Sequence, residues 1–549
     1  MISLFSSALC QDGPLVQTSG GQVMGVTERF TEDKYIFVDK DINIFRGIPF
    51  AEPPVGHLRW ANPIPKSAWS GTWNATYYRP SCPQILSSST GSDEDCLYLN
   101  VYAPSQPVGG AAVMVFIYGG DGGAYNLGWA HQTAYIGNSM VATGDVIVVT
   151  ANYRLGVLGF LSTGDSVIPG NYGMYDQVAA LEWVQNNIAA FGGDPSRVTI
   201  FGQSAGGCSV GLHMLSPLSE NLFQYGIMES GVSLSPFAYN DDINRAISDA
   251  HRLGNDLNCT YLTNEDLLAC LRTHTVKDLL TTALQVTSSH KFIIIDGVFL
   301  IDHPEVLMQT GQFKHTNIIA GSNKDEGLFF GLPVYPAAFS AFNPPSMDRD
   351  TYEASFPWYL TGNVNDLLKD GVRNQYVDWS TADKADADYL DAFNRQITDE
   401  TFVAPTDAFL RYFVSSSKGT TTAYSYHMIH DPSVSSWQIN LIGPRWMRAT
   451  HCEELQFVFG WPFLPEVQDW KSKNLNSAEK TLSVQVMKYW TNFAKTGDPN
   501  GMDVPSWPTF TIPELEYKEI AIGLPTQRAL RAGENYFWNS LAPALRAAT

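Results

Sequence analysis

One stretch of ten residues, from Val198 to Gly207, constrains the fold of this chain more than any other. It reads Val-Thr-Ile-Phe-Gly-Gln-Ser-Ala-Gly-Gly, so a β-branched run leads into the pattern Gly-x-Ser-x-Gly and small residues follow it. That pattern is typical of a nucleophile elbow, a sharp turn between a strand and a helix that exposes a serine hydroxyl above a sheet. The stretch therefore predicts that Ser204 stands at the apex of such a turn and acts as a nucleophile.

Apolar runs on both sides of this stretch predict the sheet that carries it. Runs without polar interruption are typical of strands covered on both faces, as in a parallel sheet. Residues 172–191 place Leu181, Val184 and Ile188 on one helical face, which gives a strand-helix-strand unit. We therefore expect an α/β fold with a central, mostly parallel sheet and helices on both faces. The predicted strands cover residues 111–118, 146–150, 198–201, 317–321 and 422–428.

The remaining segments predict additions to this sheet. Residues 15–45 alternate apolar and polar positions in short runs, which is typical of antiparallel strands at a sheet edge. The proline-rich segment 45–54 is expected to be a loop, because proline cannot donate a hydrogen bond to a sheet. Residues 340–415 read as a large helical insertion over the sheet, and residues 482–495 as a helix that ends at Gly497.

Composition and charge exclude several classes of protein. The 34 basic and 55 acidic residues give a net charge of −21, whereas nucleic-acid binding needs a basic surface. No apolar run reaches the roughly 18 residues of a membrane span. Residues 1–10 are mildly apolar without a basic start. We expect residues 1–19 to be a leader, either a weak signal peptide or a disordered segment, and residues 20–545 to form one domain.

Cysteine pairs and glycosylation sequons favour a secreted protein. Two close pairs of cysteines lie in polar, loop-like sequence and are placed to close small surface disulfides, which form in an oxidising compartment. No cysteine falls in a metal-site pattern such as Cys-x-x-Cys, and no metal or other cofactor is expected. Two Asn-x-Thr sequons agree with secretion. The residues are Cys82 with Cys96, Cys259 with Cys270, and the sequon residues Asn74 and Asn258.

A serine nucleophile needs a base to take its proton and an acid to orient that base. In folds with this elbow the acid follows the serine in the chain and the histidine comes last. Glu326, directly after a predicted strand, is the preferred acid, with Asp325 as the adjacent rival. His451, which precedes an apolar run, is the preferred base, and His427 and His430 compete with it.

Acyl transfer also needs backbone N–H groups that stabilise the oxyanion. One donor is expected to be the N–H of Ala205, which follows the nucleophile. Gly119, Gly120 and Asp121 come directly after a predicted buried strand and are expected to supply the others.

Several further motifs carry a resemblance to one family. They lie at residues 45–51, 94–100, 152–154, 170–173, 191–195, in the elbow and around His451. With them, the chain resembles the type-B carboxylesterases, the cholinesterase-like α/β-hydrolases, over about residues 20–545. Within that family it is most similar to the bile-salt-activated carboxyl ester lipases, through residues 161–165, 187–191 and 489–500.

The resemblance implies an α/β-hydrolase fold and a role for each matching residue. It implies a triad of Ser204, Glu326 and His451, an oxyanion hole of Gly120, Asp121 and Ala205, a supporting serine at Ser230, the disulfides Cys82–Cys96 and Cys259–Cys270, and an ion pair of Arg46 with Glu94.

Three departures from the family pattern are visible. Asp121 stands where the family has glycine or alanine, so a carboxylate lies in the expected oxyanion loop. Gln203, beside the nucleophile, replaces the common glutamate and removes a negative charge from the site. Cys208 and Cys452 lie near the expected catalytic residues and are predicted to be packing residues.

These features predict a secreted serine hydrolase that cleaves lipid, sterol or xenobiotic carboxylic esters through an acyl-enzyme. A bile salt or another amphiphile is the expected activator. One alternative is a non-catalytic adhesion protein, since the family includes members that lost the triad. Another is a cholinesterase, which is disfavoured because residues 82–96 contain no aromatic residue for the choline cation.

Overall fold

The computed structural model describes residues 13–84, 91–107, 109–120, 135–286, 292–334, 345–360, 362–384, 386–417, 419, 421–436, 445–464 and 475–548. Asp121 and most of the predicted leader lie outside these residues. The strands are β1 Leu15–Gln17, β2 Gln22–Met24, β3 Val26–Glu32, β4 Val38–Pro49, β5 Thr72–Asn74, β6 Tyr98–Pro104, β7 Ala111–Ile117, β8 Ile147–Ala151, β9 Gly193–Gln203, β10 Tyr225–Glu229, β11 Ile318–Asn323, β12 Ala423–Met428, β13 Glu516–Ile520 and β14 Thr526–Arg528.

An eleven-stranded sheet forms the centre of the fold, in the order β14-β13-β12-β11-β10-β9-β7-β8-β6-β4-β3. The pairings from β13 through to β8 are parallel, and those at both ends of the sheet are antiparallel. Every residue of β7 is buried, as its uninterrupted apolar sequence predicts. The predicted mostly parallel sheet is therefore confirmed, and β9 and β10 lie near its middle.

Residues 45–49 do not form the predicted loop. They belong to β4, which pairs with β6 through Phe45 opposite Val101 and Ile48 opposite Leu99. A bulge between these two pairs shifts the register, and Pro49 is the last residue of the strand. Proline is tolerated at these places because a bulge and a strand end leave backbone N–H groups outside the ladder.

Helices cover the faces of this sheet. They are α1 Asn138–Gly144, α2 Gly156–Phe160, α3 Tyr172–Asn187, α4 Ala205–Leu215, α5 Ile243–Asp256, α6 Asn264–Leu271, α7 Val276–Val286, α8 Pro304–Gln309, α9 Gly327–Val334, α10 Arg349–Tyr359, α11 Asp366–Tyr376, α12 Leu390–Thr398, α13 Ala404–Ser416, α14 Leu455–Val458, α15 Ser477–Thr496, α16 Ala532–Tyr536 and α17 Ala542–Ala547. The predicted helix over residues 482–495 is part of α15, which ends at Gly497 with φ +75°. Within the described ranges, no helix has the length and apolar character needed to cross a bilayer.

The helical insertion forms around α10 to α13, as its sequence predicts. Tyr352, Phe393 and Ile397 are buried there in a cluster separate from the core of the sheet. Phe537 and Trp538, from the C-terminal part of the chain, complete that cluster. The insertion is thus stabilised by residues that are distant from it in the sequence.

Ion pairs and disulfides fix the loops around the sheet. Cys82–Cys96 and Cys259–Cys270 are both bonded. The predicted ion pair between Arg46 and Glu94 is wrong, because each residue has a different partner. Arg59 binds both oxygens of Glu94 at 2.6 Å, whereas Arg46 binds Glu28 at 2.8 Å. The planar guanidinium of Arg59 matches the carboxylate fork, so this ion pair is bidentate.

Candidate active site

Ser204 lies between the end of β9 and the start of α4, where the elbow was predicted. Its backbone has φ 58° and ψ −124°, a strained conformation for a residue with a side chain. A Cβ atom on Gly206 would collide with the carbonyl oxygen of Ile117, and one on Gly202 would lie 2.7 Å from the same oxygen. Glycine is therefore required on both sides of the serine, because β7 passes so close to the turn.

The neighbouring strand β10 holds the turn from the other side. The N–H of Ser204 donates to the carbonyl oxygen of Glu229 at 2.8 Å. A Cβ atom on Gly231 would collide with the carbonyl oxygen of Ser204. The strained conformation is thus fixed by contacts with two strands rather than by the turn alone.

Glu326 and His451 are brought together from distant parts of the chain. Nδ1 of His451 lies 2.6 Å from Oε2 of Glu326, and both side chains are almost fully buried. The second oxygen of Glu326 accepts the N–H of Asn323 at 2.7 Å. Because the carboxylate can only accept, Nδ1 carries a proton, so in the neutral tautomer Nε2 is the acceptor nitrogen.

The rival acid and bases have other partners. Asp325 accepts from Nδ2 of Asn394 at 2.9 Å, and its carboxylate lies 3.7 Å from Arg448. His427 is buried, which lowers its pKa to about 3, and its Nδ1 lies 3.3 Å from Oγ of Ser322.

His430, the other rival base, binds a different glutamate. Its Nε2 lies 3.1 Å from an oxygen of Glu479, which also caps the N-terminus of α15. His430 therefore holds the start of that helix.

Gln203 occupies the other nitrogen of His451. Its Nε2 lies 3.3 Å from Nε2 of the imidazole. The structure thus gives this nitrogen a contact with the side-chain amide of Gln203. Sequence reasoning noted that Gln203 removes a charge, but it did not predict this contact.

The expected oxyanion loop lies against Ser204. A Cβ atom on Gly119 would lie 2.8 Å from Cβ of Ser204 and 3.1 Å from the backbone nitrogen of Ala205. Gly120 is buried beside it, and Ala205 is the first residue of α4, so its N–H belongs to the positive end of a helix. Asp121, the third residue predicted for this site, lies outside the described residues.

Three phenylalanine rings enclose His451, which sequence reasoning missed. The ring centroids of Phe329, Phe330 and Phe402 lie 5.7, 5.4 and 5.0 Å from that of the imidazole. Phe237 extends this wall through its contact with Phe402 at 5.7 Å. These rings give the site an apolar side. The Phe-Phe pair three residues after Glu326 is a signal that sequence reasoning could have used.

The loop that carries His451 is fixed by a buried glutamate. Oxygens of Glu453 accept from the hydroxyl of Ser435, from the N–H of Ser436 at 3.0 Å and from Nε2 of Gln456 at 2.6 Å. Burial raises the pKa of Glu453 to about 7 in spite of these donors.

The two cysteines near the site differ in exposure. Cys208 is fully buried in α4, and burial raises the pKa of its thiol, so it is a packing residue. Cys452, next to His451, is half-buried with φ 70° and packs against the core of the sheet, as predicted.

Two further carboxyl groups lie buried behind Glu326. Burial raises the pKa of Glu229 to about 8, and Nε1 of Trp490 donates to its Oε1 at 2.7 Å. Burial and the nearby Glu326 and Glu229 raise the pKa of Glu454 to about 8 as well, while Asn323 donates to one of its oxygens. Both groups are therefore largely protonated at neutral pH.

Ser230, the expected supporting serine, lies directly beside this acid pair. Its N–H donates to the carbonyl oxygen of Gly321 at 2.9 Å. Within the described part of the chain, Oγ of Ser230 is buried without a hydrogen-bond partner. A buried hydroxyl of this kind is commonly satisfied by an internal water molecule.

The buried acid Glu229 gives a testable effect on stability. A raised carboxyl pKa stabilises the folded state below the ordinary pKa of 4.5, and this contribution is lost as the pH rises through about 8. Glu229→Gln keeps an acceptor for Trp490 and removes the titration. We expect the free energy of unfolding of the variant, relative to wild type, to increase by roughly 2 to 4 kcal/mol from pH 5 to pH 9.

Thermal unfolding midpoints of both proteins at pH 5 and pH 9 measure this difference. Glu220→Gln is the matched control. Glu220 lies in the turn before β10, and its side chain is exposed to water. If the difference in midpoint between wild type and Glu229→Gln is the same at pH 5 and at pH 9, Glu229 is not a buried protonated acid.

Comparisons of the whole chain relate it to known proteins. The model of the carboxylesterase family matches residues 12–538. Acetylcholinesterase from Bungarus fasciatus is 36% identical over 562 residues, covering 97% of this chain and 87% of that protein. Cholinesterase from Mus musculus is 35% identical over 572 residues, covering 98% of this chain and 88% of that protein.

A strand-turn-helix elbow in a mostly parallel sheet, with a buried histidine-glutamate pair, defines an α/β-hydrolase. This chain belongs to the carboxylesterase family, across nearly its whole length. Membership of that family supports hydrolysis of carboxylic esters by a serine hydrolase. The similarities do not single out the bile-salt-activated lipases, which therefore remain a proposal for this chain.

Proposed function

We propose that this protein cleaves carboxylic esters with Ser204 as nucleophile, His451 as base and Glu326 as the acid that orients the base. The observation that carries the proposal is the 2.6 Å hydrogen bond between His451 and Glu326, buried beneath an elbow whose apex is Ser204. Gly120 and Ala205 are proposed as oxyanion donors, and Asp121 as a third through its backbone N–H.

The chemistry follows from these positions. Oγ of Ser204 attacks the ester carbonyl while Nε2 of His451 takes its proton, and the carboxylate of Glu326 stabilises the imidazolium. Backbone N–H groups bind the oxyanion of the tetrahedral intermediate. The imidazolium then protonates the leaving alcohol, and water, activated by the same imidazole, hydrolyses the acyl-enzyme.

The substrate class proposed is an ester without a fixed positive charge, from lipids, sterols or xenobiotics. Its support is the loop of residues 82–96, which contains no aromatic side chain to bind a quaternary ammonium group. The phenylalanines around His451 offer apolar contacts instead. A cholinesterase activity, as the names of the two relatives suggest, is the competing proposal.

A panel of esters distinguishes these proposals. We expect kcat/KM for 4-nitrophenyl butyrate to exceed that for butyrylthiocholine by about tenfold or more, since a missing cation–π contact is worth up to about 2 kcal/mol. The reverse preference would make the protein a cholinesterase. Absence of turnover for every ester would favour a non-catalytic binding protein.

Activation by a bile salt is a separate proposal, based on residues 161–165, 187–191 and 489–500. Taurocholate added to an emulsion of a long-chain ester should then increase turnover by the wild type. Unchanged turnover would remove the lipase proposal while leaving the esterase proposal intact.

Secretion is proposed from the two disulfides and from the exposure of both sequon residues, Asn74 and Asn258. Protein recovered from the medium of an animal cell should lose mass on treatment with peptide N-glycosidase. An unchanged mass and retention inside the cell would contradict secretion.

A further inference from the structure

We propose that Gln203 is a positioning residue that occupies Nε2 of His451 in the resting enzyme and must release it before Ser204 can be deprotonated. This inference rests on the proposed function, because it concerns the nitrogen that takes the proton of the serine. It adds a step to that function: an exchange of hydrogen bonds on one imidazole nitrogen precedes acylation.

The direction of the hydrogen bond follows from the partner on the opposite side of the ring. Nδ1 of His451 donates to Glu326 at 2.6 Å, so Nε2 of the neutral imidazole carries a lone pair. The amide nitrogen of Gln203, 3.3 Å away, is a donor. Gln203 therefore donates to the nitrogen that serves as the base.

The same lone pair cannot serve two donors. An imidazole acceptor nitrogen has one lone pair, which lies in the plane of the ring. While Gln203 donates to it, the hydroxyl of Ser204 does not. Rotation of the Gln203 side chain away from Nε2 then leaves this lone pair for Ser204.

The backbone of Gln203 is held firmly, so that only its side chain can make this exchange. It is the last residue of β9 and lies opposite Glu229 in the parallel pairing with β10. Gln203 is 3% exposed. A buried amide beside an imidazole on a fixed strand is a built contact rather than a surface encounter.

The contact also affects the balance between the neutral imidazole and the protonated imidazolium. A donor on Nε2 stabilises the neutral ring and opposes its protonation. In the described part of the chain, the ionisable groups near His451 are Glu326, bonded to it, Glu454 on its own loop, and Glu229 on β10, which acts on Glu454. Gln203 thus counteracts the carboxylate of Glu326, which favours the imidazolium.

Two variants of Gln203 test the proposal through the acid limb of kcat/KM for a neutral ester, which reports the base in the free enzyme. Gln203→Met keeps the length of the side chain and removes the donor. Its acid limb should move to higher pH by about 0.5 to 1 pH unit, because a buried hydrogen bond to the neutral ring is lost. Gln203→Glu, which can accept from the imidazolium, should move the limb further in the same direction.

The plateau of kcat/KM separates positioning from a structural role. We expect the plateau of Gln203→Met to stay within about tenfold of wild type, or to rise, because Ser204 no longer competes for the nitrogen. An acid limb that stays at the wild-type pH in both variants would overturn the proposal. So would a loss beyond tenfold at every pH without a shift of the limb.

Labelling with a neutral organophosphate distinguishes a failure of the proposed function from a failure of the proposed role of Gln203. A wild type that neither turns over esters nor is labelled at Ser204 would overturn the proposed function. A wild type that is active and labelled, with variants whose acid limb does not move, would overturn only the role of Gln203.

Discussion

Ser204→Ala is expected to lower kcat for a soluble butyrate ester by at least about a thousandfold, because no other group replaces the nucleophile. The φ of 58° at this position is strained for alanine as well, so the elbow itself should change little. Residual turnover above the uncatalysed rate is expected from oxyanion donors and substrate binding, which the substitution leaves in place. Steady-state hydrolysis of 4-nitrophenyl butyrate by purified wild type and variant measures the loss.

Ser209→Ala is the matched control for this loss. Ser209 is also buried in α4, and its hydroxyl donates to the carbonyl oxygen of Ala205 at 2.9 Å, one turn away. We expect its kcat to stay within a few fold of wild type. Equal kcat in wild type and Ser204→Ala would show that Ser204 is not the nucleophile, and attention would pass to the binding-protein alternative.

The sheet was predictable from the sequence because its strands are continuous apolar runs. β7, β8 and β9 bury nearly every residue of those runs, and only strands covered on both faces need such sequences. The elbow was predictable for a different reason. The glycines around Ser204 are required by backbone contacts with β7, so a steric need appears directly in the sequence.

Candidate site residues were predictable where they follow strands. Glu326 comes three residues after β11, and the carboxyl ends of parallel strands meet at one edge of the sheet. Glu229, at the end of β10, satisfies the same rule but was not predicted as part of the site. Its importance depends on burial without a counter-ion, and a single sequence does not record burial.

Contacts that depend on side-chain direction could not be predicted. Gln203 bonds His451 across 248 positions of the chain, and Phe402 reaches the same imidazole from the helical insertion. Arg59 rather than Arg46 meets Glu94 for the same reason. Each of these contacts depends on how loops pack against each other, which leaves no periodic pattern in the sequence.

Glu326→Gln should reduce kcat about a thousandfold to ten-thousandfold, although the shape of the side chain is kept. The two oxygens of Glu326 accept from the N–H of Asn323 at 2.7 Å and from Nδ1 of His451 at 2.6 Å. An amide has only one acceptor atom, so its NH₂ group must face one of these donors. If it faces His451, the ring changes tautomer, Nε2 carries the proton, and the base is lost.

If the amide faces Asn323 instead, the tautomer of His451 survives but the negative charge that stabilises the imidazolium is still absent. Both arrangements therefore lower kcat while KM for a small ester changes little, since Glu326 is buried beneath the imidazole and away from substrate. Asp325→Asn is the control, because the carboxylate of Asp325 binds Asn394 and lies near Arg448 rather than His451. A larger loss in Asp325→Asn than in Glu326→Gln would assign the orienting acid to Asp325, and the 2.6 Å bond to His451 would then have only a structural role.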